Sequence, residues 1–338
     1  MGRSEMIRRR LLAALGAAFM LAACNENPSV IGGQPTELTF SIFLTKDRAS
    51  TEALWKPILK DLSEAAGIEV RPYFADPPEA QVEAMRRGEA QAGWYSAQLA
   101  LGAVERADAE VLARPAGLDG DTTYRSVLIT RKGRKLTLDD VLKCGRKLTF
   151  GIGDAQSASG ALAPMTYLFT PSGVEPARCF KSVQAANHQA NLLAVANGKL
   201  DVAANNTLNL QFAESDNRTL ARRIEVIWTS PPLPTAAVVV RRDLDPALKE
   251  KIRQFFITYG TGTGPEAERQ REVLRRLAWQ GFRPADDPYL DPMREIVAGQ
   301  ALTEARRSGD KGRVAAAEAN FEKVRAAAAQ RRAADPDI

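Results

Sequence analysis

Histidine occurs once in this chain of 338 residues, at His188, and cysteine three times, at Cys24, Cys144 and Cys179. One histidine without a cysteine or carboxylate cluster does not make the usual metal centres or activated nucleophiles, which argues against an enzyme. No metal and no cofactor is expected. A large excess of one charge is also missing. The formal net charge is +5, but residues 1–23 hold Arg3, Arg8, Arg9 and Arg10 against Glu5. That leaves +2 for the rest of the chain, so the composition gives no support to a nucleic-acid partner. Nor is there a long apolar run. Leu11 to Ala23 is too short to span a bilayer comfortably and has the size of a signal-peptide core.

What is present is an ordinary globular composition, 45% hydrophobic and 26% charged, in a chain long enough for two domains. The basic head and apolar core end in Leu21-Ala22-Ala23-Cys24, which resembles the lipobox of bacterial lipoproteins. Residues 1–23 are therefore expected to be a lipoprotein signal peptide, with Cys24 the lipidated first residue of an exported, membrane-tethered protein. Residues 24–35, with Pro28, Gly32, Gly33 and Pro35, read as a flexible tether. Export places Cys144 and Cys179 in an oxidising compartment, where they either pair or remain two buried thiols. Each precedes a predicted strand, so in a parallel sheet they would lie near the same end.

Strand and helix signals then alternate. Leu38 to Phe43, Glu69 to Phe74 and Ala90 to Tyr95 read as strands. Glu52 to Ala66 and Glu79 to Arg87 read as helices, stopped by Gly67 and Gly88. A second series follows: extended Tyr124 to Thr130, strands Lys147 to Ile152, Phe180 to Gln184 and Leu200 to Ala204, and a helix Gln189 to Ala196. After Glu225 to Trp228 and a proline-rich turn, strand Ala236 to Val240 leads to helix Pro246 to Tyr259. Glu266 to Leu277 is a charged helix broken at Trp279 to Pro284. The pattern predicts mainly parallel sheets in two α/β lobes, joined by hinge strands near Tyr124–Ser126 and Pro234–Val239. Lobe 1 would comprise residues 36–123 and 240–297, and lobe 2 residues 124–239. Residues 298–338, rich in Ala, Arg and Glu, read either as a helical extension packed on the body or on a second subunit or, more simply, as a solvated, partly frayed one.

The stretch Lys147 to Pro164 has the strongest chemical signal. A strand ends in Gly151-Ile152-Gly153-Asp154, a small-residue loop follows, and an apolar run from Ala161 to Phe169 has helical character. Ser157, Ala158, Ser159 and Gly160 would then open a helix, presenting unpaired N–H groups and two hydroxyls at its positive end. This is either an anion cradle or an ordinary N-cap.

Several ordered segments resemble the substrate-binding proteins of phosphonate importers of the ABC class. They are Gly93-Trp94-Tyr95, Ala103 to Ala107, Tyr124 to Ile129, the Phe150 to Gly160 loop, Asn187 to Asn197, Asp201 to Thr207 and Val226 to Pro231. The resemblance implies a type II periplasmic binding protein fold with the ligand between the lobes. Ser157, Ser159 and the Ala158–Gly160 backbone would hold phosphonate oxygens, and His188 would add a hydrogen bond. Tyr95 would reach in from the opposite lobe, while Asn205 and Asn206 would face the cleft or tie down its loops. The implied partners are a phosphonate or phosphite-like anion and an ABC permease in the inner membrane.

Departures from the family pattern bear on the ligand. Members that take aminoalkylphosphonates carry acidic residues where this chain has Leu208 and Ala236, so an amine-free ligand is expected. Pro78 replaces a tyrosine after the second strand, and Ser157-Ala158-Ser159 replaces Ser-Thr-Ser. Two other readings remain at this point: a sensor using the same cleft, and a periplasmic phosphonate or phosphate hydrolase.

Overall fold

The computed structural model describes residues 30–31, 34–35, 37–44 and 47–334. The expected signal peptide, Cys24 and most of the tether lie outside the described residues. Before residue 37 the structure shows one antiparallel pairing, β1 (Val30–Ile31) with β2 (Gln34–Pro35). Residues from Glu37 onward form a separate unit.

That unit starts with β3 (Glu37–Ile42), α1 (Arg48–Ala66), β4 (Glu69–Phe74), α2 (Ala80–Arg86), β5 (Ala92–Ser96), α3 (Ala97–Arg106) and β6 (Ala109–Gly117). The short β7 (Thr123–Tyr124) carries the chain into a second lobe. There β8 (Ser126–Arg131), α4 (Leu138–Leu142) and β9 (Thr149–Ile152) lead to two π-helical turns, Ala158–Leu162 and Met165–Phe169. Then come α5 (Pro176–Cys179), β10 (Ser182–Ala185), α6 (His188–Ala196), β11 (Val202–Asn206), α7 (Thr207–Asp216), α8 (Arg218–Ala221) and β12 (Ile224–Thr229). The chain returns through β13 (Leu233–Pro234) to β14 (Ala236–Arg241), α9 (Pro246–Thr258), α10 (Pro265–Arg276) and β15 (Trp279–Pro284). It ends in α11 (Asp291–Ser308) and α12 (Lys311–Ala334).

The first lobe holds a six-stranded sheet in the order β15-β6-β14-β5-β3-β4, and the second a five-stranded sheet in the order β10-β9-β11-β8-β12. Both sheets are mixed, where mainly parallel ones were expected. In the first, β14 runs antiparallel to β5 and β6; in the second, β8 runs antiparallel to β11 and β12. The cause is the double crossing: a strand that enters a lobe from its partner runs against those that began there. The crossing is the antiparallel pair β7–β13, with Tyr124 opposite Leu233 and Thr123 opposite Pro234. The Val-rich β14 is buried along Ala236–Val240 and lies wholly within the first sheet, so it is no hinge strand.

Each sheet is covered on both faces. Phe40, Trp55, Phe256 and Phe282 pack on one face of the first, and Tyr95, Leu99, Val111 and Tyr289 on the other. Phe150, Phe169 and Phe180 form an aromatic core in the second. Burial of such side chains contributes about 1.5–3 kcal/mol each. Cys144 and Cys179 are joined in a disulfide, just ahead of the parallel neighbours β9 and β10.

The C-terminal region is not the solvated helix expected from its composition. α11 and α12 form a hairpin that buries Leu302, Phe321 and Ala328. Arg331 reaches Asp291 at 2.6 Å and Arg332 reaches Glu295 at 2.8 Å, both carboxylates being buried. α11 also touches both lobes. Met293 and Ile296 share an apolar cluster with Leu99 of the first lobe and Leu162 of the second. Tyr167 donates to the Pro292 carbonyl, and Arg306 to that of Thr170.

Candidate functional site

The direction of the strands determines which loops face the crossing. Ser126 at the start of β8 lies opposite Asn206 at the end of β11. Because β9 and β10 run parallel to β11, their C-terminal ends point the same way. The loops leaving β9, β10 and β11 therefore gather at the end of the sheet beside the crossing, where open α/β sheets place ligand contacts.

Ser157 caps the helical segment after β9: its hydroxyl accepts from Gly160 N–H at 3.0 Å. Gly153 N–H donates to the Gly160 carbonyl at 2.8 Å. The two glycines touch so closely that a Cβ on Gly160 would stand 2.8 Å from Gly153 Cα and 3.1 Å from His188 Cε1. Pro164 contributes no N–H to the helix, and the turns on either side of it widen to i→i+5 bonding. Ala158 is half-buried and Gly160 buried. The first N–H groups of the segment have no intrahelical partner.

Ser159 is the hub. It is buried, with its Oγ 3.2 Å from His188 Nε2, and that hydroxyl accepts from Asn206 Nδ2 at 3.1 Å. Its carbonyl accepts from the Ser126 hydroxyl at 2.6 Å. The Tyr124 phenol on β7 also interacts with the Ser159 side chain; burial raises its pKa and that interaction opposes the rise. Ser126 and Tyr124 were not singled out as site residues from the sequence. Both lie in the segment Tyr124 to Ile129, so the only available signal was their place beside the predicted hinge.

His188 opens α6 behind the N-cap Asn187, whose carboxamide oxygen accepts from Ala190 N–H. Burial lowers its pKa, which favours the neutral ring at neutral pH. A neutral imidazole donates from one nitrogen and accepts at the other. Its Nδ1 is buried with no partner. Asn205 Nδ2 donates to the His188 carbonyl at 2.9 Å, while its oxygen accepts from Asn206 N–H and Asn209 Nδ2. Asn205 therefore positions α6 and α7, and Asn206 both caps α7 and reaches Ser159.

Six of the eight expected ligand residues thus surround one point on the second lobe: Ser157 to Gly160, His188 and Asn206. Asn205 lies directly behind them. Tyr95 is the exception. It is fully buried in the first lobe, where its hydroxyl donates to the Gln81 carbonyl at 3.4 Å and lies 3.8 Å from Met85 sulfur. β5 is a central strand covered on both faces, so its tyrosine was drawn into the core. Among the described residues no group of three or more His, Cys, Asp or Glu is placed to hold a metal ion.

Residues 40–290 match the model of the ABC transporter phosphonate periplasmic substrate-binding protein family. The chain belongs to this family. It is 35% identical over 290 residues to the phosphonates-binding periplasmic protein of Escherichia coli K12, covering 85% of this chain and 84% of that one. A crystal structure of a binding-protein component of an ABC phosphonate transporter from Pseudomonas aeruginosa is similar at TM-score 0.61 and 32% identity, over 88% of this chain and 99% of that one. A protein from Prochlorococcus marinus in complex with methylphosphonate shares the fold at TM-score 0.56 and 19% identity, over 77% and 97% of the two chains. The two mixed-sheet lobes and their paired crossing strands are the type II periplasmic binding protein architecture. Like its relatives, which are transport proteins, the chain is a periplasmic substrate-binding component of an ABC phosphonate transporter. α11 and α12 lie beyond the family match.

Proposed function

We propose that this protein captures an amine-free phosphonate, or a related phosphorus oxyanion, at the Ser159 hub and delivers it to its permease. The observation that carries the reading is the convergence of Ser159, His188 and Asn206 with the starts of α6 and the π-helical segment. Hydroxyls, helix-end N–H groups and the positive ends of helical segments stabilise an oxyanion without a fixed positive charge. No carboxylate lies in the first turn of α7, where Leu208 stands, and Ala236 is buried on β14. An ammonium brought there loses hydration without gaining a counter-ion.

The Ser159–His188 contact has the spacing of a nucleophile and its base. A working pair also needs a group that orients the imidazole, and Nδ1 has none. This supports binding over hydrolysis. Calorimetric titration of the purified protein tests the proposal. Methylphosphonate should bind, and more tightly than 2-aminoethylphosphonate, with losses of about 10- to 100-fold in Ser159→Ala and His188→Ala. Nanomolar binding of 2-aminoethylphosphonate would refute the amine-free assignment.

We propose as well that Cys24 carries a lipid. Metabolic labelling with a fatty acid in cells, lost in Cys24→Ala, is the corresponding test; an unlabelled wild type refutes it.

A further inference from the structure

One face of α11 lies along the two π-helical turns that follow the Ser157 cap. Pro292, Ile296, Gly299, Thr303 and Arg306 recur at alternating intervals of four and three residues and so line that face. Each meets the π-helical segment. Tyr167 donates to the Pro292 carbonyl at 3.2 Å, and Ile296 shares an apolar cluster with Leu162. The hydroxyls of Thr303 and Thr170 are 3.1 Å apart, and Arg306 donates to the Thr170 carbonyl at 2.8 Å. At the centre Gly299 lies against Thr166. A Cβ on Gly299 would stand 2.6 Å from Thr166 Oγ1, 2.8 Å from its Cγ2 and 3.0 Å from its Cβ, where ordinary contact is roughly 3.5–4.0 Å. The Thr166 hydroxyl is buried, without a hydrogen-bond partner among the described residues. Glycine inside a helix and a buried hydroxyl without a partner each weaken a fold, so the stability of the two positions accounts for neither residue.

We infer that Gly299 and Thr166 form a seat that sets how far the π-helical segment stands from α11, and thereby where Ser159 and the N–H groups beside it are presented. Gly299 is then a positioning residue for phosphonate binding: it touches no ligand and acts through Thr166. The inference rests on the proposed phosphonate site. Ser159 and Thr166 belong to one unbroken helical run, Ala158 to Phe169. A displacement at Thr166 is therefore passed to Ser159 as a movement of the whole run. Ser159 Oγ stands 3.2 Å from His188 Nε2 and 3.1 Å from Asn206 Nδ2, toward the long end of hydrogen-bond distances. A shift of about half an ångström breaks such contacts.

His188 is the one histidine in the chain, so its ring signals in a nitrogen-15 NMR spectrum of the purified protein report the Ser159 contact directly. Gly299→Ala should move those signals and weaken methylphosphonate binding, read by calorimetry, about tenfold. Adding Thr166→Ala removes Oγ1 and Cγ2, the two nearest atoms, and should return the signals to their wild-type positions and the affinity to within about threefold of wild type. A folded Gly299→Ala with wild-type signals and affinity overturns the inference, and so does a loss that Thr166→Ala fails to repair. Should Gly299→Ala not fold, Arg306→Met, whose arginine is partly exposed, loosens the outer end of the same face. His188 signals unmoved in that variant overturn the inference, and displaced ones support it. A wild type that does not bind methylphosphonate removes the phosphonate reading, while the His188 signals still decide the seat.

Discussion

Gly153 and Gly160 lie back to back across the loop that follows β9, joined by a 2.8 Å hydrogen bond from the N–H of the first to the carbonyl of the second. Neither position has room for a methyl group. A Cβ on Gly160 falls 2.8 Å from backbone of Gly153, which cannot swing aside as a side chain would. Gly160→Ala should destabilise the protein by about 1–3 kcal/mol and abolish phosphonate binding. Urea denaturation and calorimetry measure the two effects, and wild-type values in both would remove the close approach from the account.

The imidazole of His188 is held below its ordinary value by burial. The unfolded chain protonates this group near pH 6.5, whereas the folded chain resists. Its contribution to stability is therefore complete above that pH, declines as pH falls through it, and levels off below the depressed folded value. Denaturation midpoints at pH 8 and pH 5.5 should differ more in wild type than in His188→Gln. Equal differences would show that the ring is not held neutral.

Reduction of Cys144–Cys179 opens a loop of sequence separation 35. In the chain-entropy account this costs about 3–4 kcal/mol of stability. Denaturant titration with and without a dithiol reductant should show it as a lower midpoint. A midpoint unmoved by reductant would mean that the bond does not form or that the unfolded chain is already constrained.

Glu295 is buried, and Arg332 of α12 is its ion-pair partner at 2.8 Å. Arg332→Ala leaves the carboxylate without that charge. The arginine is partly exposed, which reduces the effect to about 1–3 kcal/mol. Pairing the variant with Glu295→Gln in a double-mutant cycle should recover part of the loss; strict additivity would count against a direct interaction.

Leu208→Asp restores a carboxylate at the position where aminoalkylphosphonate binders are expected to carry one. The variant should gain at least about tenfold in affinity for 2-aminoethylphosphonate relative to wild type. No gain would place the ligand's substituent elsewhere than beside α7.

The strand, loop and helix start around Ser157–Gly160 were legible because they are neighbours in the chain. The Ser157–Gly160 loop and His188 each follow a strand and begin a helix, and parallel strands bring such loops together. Ser126 was not legible, because a serine opening a buried strand looks the same whether or not its hydroxyl meets a carbonyl 33 residues away. Tyr95 failed for a related reason: both faces of β5 are covered, so its place near a strand end did not reveal which way its hydroxyl points. β15 read as a break because Trp279 to Pro284 contains glycine and proline. It is an edge strand, where an interrupted ladder is tolerated.

A backbone pair such as β7–β13, taken alone, lets two bodies both bend and twist. α11 lies across the same junction, bonded to Tyr167 and Thr170 of the segment that carries Ser159 and packed with Leu99 on the opposite side. A connection beside the crossing pair restricts the relative movement of the lobes more than the pair alone does. The helix that lies wholly beyond the family match is thus a further tie across the joint.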